Sequence, residues 1–226
     1  MRAWEKLPPK MRNPEVRYYY DVLYKKRRQL RIKRIFDLCL SAAMIAGLLP
    51  VFLVIAVMIK RDSKGSVFYR QVRITAYGRK FKIFKFRTMV DHADRVGTQV
   101  TVQGDARITK VGNLLRKVRL DELPQLFNVF LGDMTFVGTR PEVPKYVKCY
   151  DRKMLATLLL PAGITSRTSI EYKDEDRLLA DAEDADKVYI EQVMPAKMEY
   201  NLKELEKYSI FRDLATMALT VIAVLK

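Results

Sequence analysis

One apolar run stands apart from the rest of the chain: Leu38 to Ile59 contains no charged side chain. Arg31, Lys33 and Arg34 precede it, and Lys60 and Arg61 follow it. Eighteen or more apolar residues are enough to cross a hydrocarbon core about 30 Å thick. Two features speak against a simple span. Basic residues stay on the cytoplasmic side of a membrane segment, and here both flanks are basic. Pro50, just after Leu49, has no N–H for the carbonyl of Ala46, and Gly47 loosens the same turn. A helix bent there enters one leaflet and returns, each arm reaching roughly 18 Å. The pattern predicts a re-entrant membrane helix-hairpin over residues 35–61, kinked at Leu49 and Pro50, with a kinked span or a buried core helix as alternatives. The carbonyl freed by Pro50 needs a donor, and Ser41 lies too far along the helix to supply one.

Residues 62–226 read as an α+β, mainly helical domain. VFYRQVR and KFKIFKFR are rich in β-branched and aromatic residues and predict a small β-hairpin over 66–87, turning at Tyr77 and Gly78. A basic helix suits 109–119. Asp121 then precedes apolar positions at helical spacing (Leu123, Leu126, Phe127, Phe130), which Gly132 and Asp133 end. Residues 91–105 and 136–144 read as loops, and 145–159 as a helix stopped by Pro161 and Gly163. Residues 184–206 read as a helix interrupted near Pro195. Leu214 to Leu225 is too short to span and fits either the core or the membrane interface.

Charge changes the picture at the two ends of the chain. The net charge is +16, and the first 34 residues hold twelve Lys and Arg against Glu5, Glu15 and Asp21. That segment, 1–34, is a solvated arm or a polybasic juxtamembrane arm held by anionic lipid at about 1 kcal/mol per charge. Tyr18, Tyr19 and Tyr20 favour the second, as rings that settle at headgroup level. A basic arm also suits RNA, so charge alone leaves a lipid- or RNA-tethering protein open. The one acidic stretch is 171–187, with eight Asp and Glu. Two cysteines, Cys39 and Cys149, give no disulfide framework and fit a reducing compartment. His92 is the only histidine, which argues against a zinc site, and no nucleophile elbow accompanies it. Neither a signal peptide nor a lipidation signal is expected.

Candidate chemistry concentrates in LRKVRLDELPQLFNVFLGDMTFVGTRP. Asp121 and Glu122 are adjacent acids at a predicted helix start, where the bland reading is an N-cap. Arg116, Arg119 and Arg140 lie nearby, and guanidinium groups grip phosphate through a bidentate fork. Carboxylates can hold a magnesium ion that itself binds phosphates, and an Asp can be the nucleophile that makes an acyl-phosphate. Together with the membrane segment, this suggests phosphoryl transfer at a bilayer surface.

At this point the sequence resembles the bacterial sugar transferases that act as monotopic phosphoglycosyl transferases. The matching pieces are KRIFDL, the LP of the kink, FKIFKFRTM, RITKVGNLLRKVRLDELPQLFNVFLGDMTFVGTRP and YSIFRDLATMALTVIAVL, covering about 31–226. The resemblance implies a cytoplasmic, membrane-associated catalytic domain on the bacterial inner membrane. It implies transfer of sugar-1-phosphate from a UDP-sugar to a polyprenyl phosphate, with release of UMP. Asp121 matches the nucleophile of a phosphosugar-aspartyl intermediate, and Glu122 a partner that helps hold Mg²⁺. Arg140 and Pro141 match a phosphate-contacting loop, with Arg116, Lys85 and Arg87 completing the basic set. No nucleic-acid partner is expected, and a homodimer is compatible. The chain departs from the pattern at Leu49, where many members have Ser, at Thr139, where a proline is common, and at Ser166 and Arg167, where Gly-Trp is common. The last three bear on which donor is used.

Overall fold

The computed structural model describes residues 1–91, 93, 105–172 and 184–225. Asn13 caps the first helix, α1 (Pro14–Lys25), by accepting from Val16 N, with Pro14 at the first helical position. The N-terminal arm, expected as a solvated or lipid-held segment, is folded: Leu7, Met11, Val16, Tyr19, Tyr20 and Leu23 share one core cluster with Ala156, Leu159, Leu202 and Tyr208. Tyr19 and Tyr20 are therefore interior rings, and of the three tyrosines Tyr18 alone is exposed. The apolar spacing at 16, 19, 20 and 23 is a helical stripe, and burying it outweighs solvating the adjacent charges.

The apolar run lies in one long helix, α2 (Arg27–Asp62), which continues through Pro50. Its inner face follows helical spacing: Lys33, Asp37 and Ser41 are buried, as are Phe52, Ile55 and Ile59. Leu40, Met44, Ile45 and Leu48 pack against the same cluster as Phe52, Ile55 and Ile59. Its outer face leaves Ile35, Leu49, Leu53, Val54 and Val57 exposed. Ser41 Oγ donates to Leu38 O, so it does not serve Ala46. Both ends are tied down by polar contacts. Arg34 donates to Val129 O at 2.6 Å and Phe130 O at 2.9 Å, and Thr135 Oγ1 donates to Asp37 at 2.5 Å. At the far end, Asp62 accepts from Val111 N at 3.0 Å.

The hairpin forms where the alternation places it: β1 (Phe68–Thr75) pairs antiparallel with β2 (Arg79–Phe86), from Phe68↔Phe86 to Thr75↔Arg79. Tyr77 and Gly78 take positive φ, 60° and 72°, and reverse the chain. Helix α3 (Lys110–Lys117) follows, capped by Thr109. Arg119 then enters the left-handed region at φ 57°, and Leu120–Glu122 form a 3₁₀ turn. Helix α4 (Gln125–Leu131) begins only after Pro124, so Asp121 is not its N-cap. Gly132, at φ 84°, closes α4.

Among the described residues a second sheet pairs β3 (Met134–Val137) in parallel with β4 (Ala162–Thr165); the end of β3 falls in the loop expected at 136–144, and no strand was expected at either place. Strands of four residues are too short to show alternation. The expected helix over 145–159 is also divided, into α5 (Pro144–Val147) and a 3₁₀ helix at Met154–Leu159. Asp151 captures the Met154 amide at 2.7 Å, a side-chain contact that competes with helix. Beyond β4 come α6 (Arg167–Glu171), α7 (Ala185–Val188), a π turn at Tyr189–Val193 and α8 (Met194–Glu206). The expected interruption near Pro195 is that π turn. The last helix, α9 (Ile210–Leu225), turns Thr216 inward and leaves Phe211, Leu219 and Ile222 exposed. Most of the loop expected at 91–105 and of the acidic stretch 171–187 lies outside the described residues.

Candidate active site

Glu122 gathers charge from three elements. Its Oε1 accepts from Lys85 Nζ, on β2, at 2.7 Å and from Arg140 Nη2, beyond β3, also at 2.7 Å. Arg140 Nη1 is a longer donor to Oε2, at 3.4 Å. The Glu122 side chain is 13% exposed. Burial alone would raise its proton affinity, but Arg140 and Lys85 outweigh burial and hold the carboxyl well below its ordinary range.

Asp121, next in the same 3₁₀ turn, is half-buried. No hydrogen bond or ion pair engages its carboxylate among the described residues. Burial pushes its pKa up and so does Glu122, while Lys85, Arg116 and Arg119 oppose the shift. The adjacent acids thus differ in role: one is locked between cations, and the other is open and more basic than an ordinary aspartate. The left-handed residue Arg119 makes this possible, because it separates the turn from α3 and keeps the pair out of both helices.

The Arg140 loop is held from behind. Arg73 on β1 donates to Pro141 O at 3.1 Å and to Gln71 Oε1 at 2.8 Å. Glu142 is buried, accepts from Tyr189 Oη at 2.5 Å, and its carbonyl accepts from Ile74 N at 3.0 Å. Gly138 and Gly163 cross backbone to backbone: a Cβ at 163 would lie 2.2 Å from Gly138 N. That contact seats the loop on β4. On the other side Asn128 accepts from Phe84 N at 2.8 Å and donates to Lys82 O at 3.0 Å, pinning α4 to the strand that carries Lys85.

Of the residues singled out from sequence, the structure brings together Asp121, Glu122, Lys85 and Arg140, with Arg116 close enough to influence Asp121. Pro141 is buried and takes part through its carbonyl. Arg87 is elsewhere: its guanidinium is buried and donates to Lys64 O and to Ser63 O and Oγ at the end of α2. It braces the helix rather than facing the acids. Leu49 and Pro50 are exposed on the outer face of α2. Sequence reasoning missed Arg73, Gln71, Asn128 and Glu142. A signal for the first two was present, since strand alternation puts 69, 71 and 73 on the face of Lys85, whose partner is Tyr69.

Among the described residues no group of three or more His, Cys, Asp or Glu side chains forms a metal cluster. Asp121 offers both oxygens, and Glu122 Oε2, with its one long donor, keeps acceptor capacity. Two hard oxygens fit Mg²⁺ where substrate phosphates and water complete the shell.

An open aspartate beside a glutamate clamped by Lys85 and Arg140 is a set of groups that suits phosphate chemistry. The sequence pattern of the bacterial sugar transferase family matches residues 28–226, and the chain belongs to that family. It is 33% identical over 197 residues to the UDP-N-acetylgalactosamine-undecaprenyl-phosphate N-acetylgalactosaminephosphotransferase of Aeromonas hydrophila, an alignment covering 86% of this chain and 44% of that protein. With the UDP-glucose:undecaprenyl-phosphate glucose-1-phosphate transferase of Xanthomonas campestris pv. campestris it shares 34% identity over 198 residues, 85% of this chain and 38% of the other. With the uncharacterized sugar transferase EpsL of Bacillus subtilis it shares 32% over 194 residues, 86% and 87% of the two chains. The chain thus spans less than half the length of the first two relatives.

Proposed function

We propose that this chain is a phosphoglycosyl transferase that moves sugar-1-phosphate from a UDP-sugar to undecaprenyl phosphate at the cytoplasmic face of the bacterial inner membrane. The observation that carries this reading is the unpaired Asp121 carboxylate beside a Glu122 clamped by Lys85 and Arg140. Asp121 attacks the β-phosphorus of the donor. The bond from that phosphorus to the bridging oxygen breaks, and UMP leaves with the oxygen. An oxygen of undecaprenyl phosphate then attacks the phosphosugar-aspartate and frees Asp121. Arg140, Arg116 and Lys85 orient the diphosphate and offset its charge, which is most of what phosphoryl transfer requires. Asp121 and Glu122 would hold Mg²⁺, which would supply further charge neutralisation when bound. Trapping by intact-mass spectrometry tests the step: wild-type protein with donor alone gains one sugar-phosphate, and Asp121→Asn gains none and releases no UMP. An adduct on the Asn variant overturns the assignment.

We propose too that α2, unbroken as a helix through Pro50, bends there within one leaflet and keeps both ends on the same side. Supporting this, Arg34 and Asp37 before the apolar run and Asp62 after it bond to one folded body. A full span would carry one of these ends about 30 Å away.

A further inference from the structure

Behind Arg140 lies a buried charged trio that the chemistry above does not use. Glu142, two residues on, is buried, and so are Tyr189 and Lys197 beside it. Tyr189 Oη donates to Glu142 Oε1 at 2.5 Å. Lys197 Nζ donates to Tyr189 Oη at 3.3 Å and lies 3.9 Å from Glu142 Oε1. Taking a carboxylate and an ammonium out of water is costly, and apolar side chains of similar size often hold two elements together as well or better. The trio is therefore better suited to fixing a position than to adding stability.

The position it fixes is that of the Arg140 loop. The ring of Pro141 locks its φ, and its carbonyl accepts from Arg73 Nη1 at 3.1 Å. The Glu142 carbonyl accepts from Ile74 N at 3.0 Å. The backbone between Glu142 and Arg140 is thus short and stiff, and Arg140 at its end sets Nη2 2.7 Å from Glu122 Oε1. The Arg140 side chain is still 38% exposed, so a phosphate can reach it. Tyr189 opens the π turn Tyr189–Val193. Such turns interrupt regular helical bonding and are frequent at functional sites. The Tyr146 ring, with its centroid 4.6 Å from that of Tyr189, holds the second ring in its direction.

We propose that Tyr189 and Glu142 are positioning residues that set Arg140 for the diphosphate of the donor. This rests on the transferase reading above. The test uses the full chain in nanodiscs with undecaprenyl phosphate and the best donor among UDP-glucose, UDP-galactose, UDP-N-acetylglucosamine and UDP-N-acetylgalactosamine, with UMP release as readout. Tyr189→Phe removes one hydroxyl and keeps the ring packed. Its kcat falls about tenfold, because small displacements of a positioning group are costly in rate, while the KM for undecaprenyl phosphate stays as in wild type. In an Arg140→Ala background the same substitution changes kcat less than about twofold, since a residue that acts through another has nothing left to act on. An unchanged kcat in the Arg140 protein overturns the proposal. So does an equal fall in both backgrounds, which makes Tyr189 a structural residue only. Where Arg140→Ala turns over too slowly to time, the rise in Tm given by UDP replaces kcat: it is smaller in Tyr189→Phe than in wild type, and Tyr189→Phe does not alter it in Arg140→Ala. Wild-type protein that releases no UMP from any donor defeats the transferase reading instead, and the same UDP comparison then decides the positioning role, with equal shifts in wild type and Tyr189→Phe overturning it.

Discussion

Replacing Glu122 with Gln leaves Lys85 and Arg140 facing a neutral amide. Both cations contact one carboxylate oxygen at 2.7 Å, so the substitution removes two charge-assisted bonds at once. The variant should lose about 1–3 kcal/mol of stability in urea unfolding. UMP release should fall about 100-fold as the Arg140 loop shifts. An unfolding midpoint equal to wild type would mean that the pair is open in solution. The two acids also give opposite signs with pH. Glu122 is held below its ordinary value, so its contribution to stability is present above the ordinary carboxylate range and is lost as pH falls through its folded value. Asp121 is raised, so its ionisation weakens the fold slightly as pH rises through its folded value. As the proposed nucleophile it would have to be ionised, and the acid limb of kcat/KM should lie above the ordinary aspartate range. A limb below that range would point to a different nucleophile.

Turns and short strands, more than helices, shape this site. A methyl group on Gly163 meets the Gly138 backbone, and neither side is a flexible side chain that can yield. Gly163→Ala should destabilise by about 1–3 kcal/mol and reduce activity, measured by thermal unfolding and UMP release on one preparation. The hairpin, α3, α4 and the break near Pro195 were legible because each carries a full period of apolar spacing or a proline. Asp121 and Glu122 were legible as a pair, and so was their arginine-rich surrounding. Their freedom from α4 was not, because it depends on Arg119 adopting a left-handed conformation that no residue type announces. Sheet β3–β4 was hidden by its length. Arg87 was misread because its strand position suits a phosphate ligand equally well, and only the nearness of Ser63 and Lys64 turns it toward α2.

Residues 1–25 precede the segment that matches the family, yet they belong to the same body as the site. Lys26 Nζ donates to Tyr208 O at 2.5 Å, linking this N-terminal packing to the turn before the last helix. Deleting residues 1–25 uncovers Ala156, Leu159, Leu202 and Leu205, and the truncated chain should unfold at a lower temperature and aggregate. An unchanged Tm would make the segment a passive arm. Topology is a property of the whole chain as well. With Cys39 and Cys149 replaced by Ser, single cysteines at Arg31 and Lys64 should react with an impermeant reagent from the same side of sealed vesicles. Reaction from opposite sides would establish a span.

The inner face of α2 carries Lys33, Asp37 and Ser41, with Lys33 2.7 Å from Asp213 on the last helix. An apolar helix borrowed from another protein, however greasy, would lack these handles and leave the folded body unbraced. Even one alanine inserted between Ser41 and Phe52 would swivel the two halves of the helix about 100° against each other. Either the polar handles or Phe52, Ile55 and Ile59 would then turn away from the folded body, so the phase of this helix is as constrained as its greasiness.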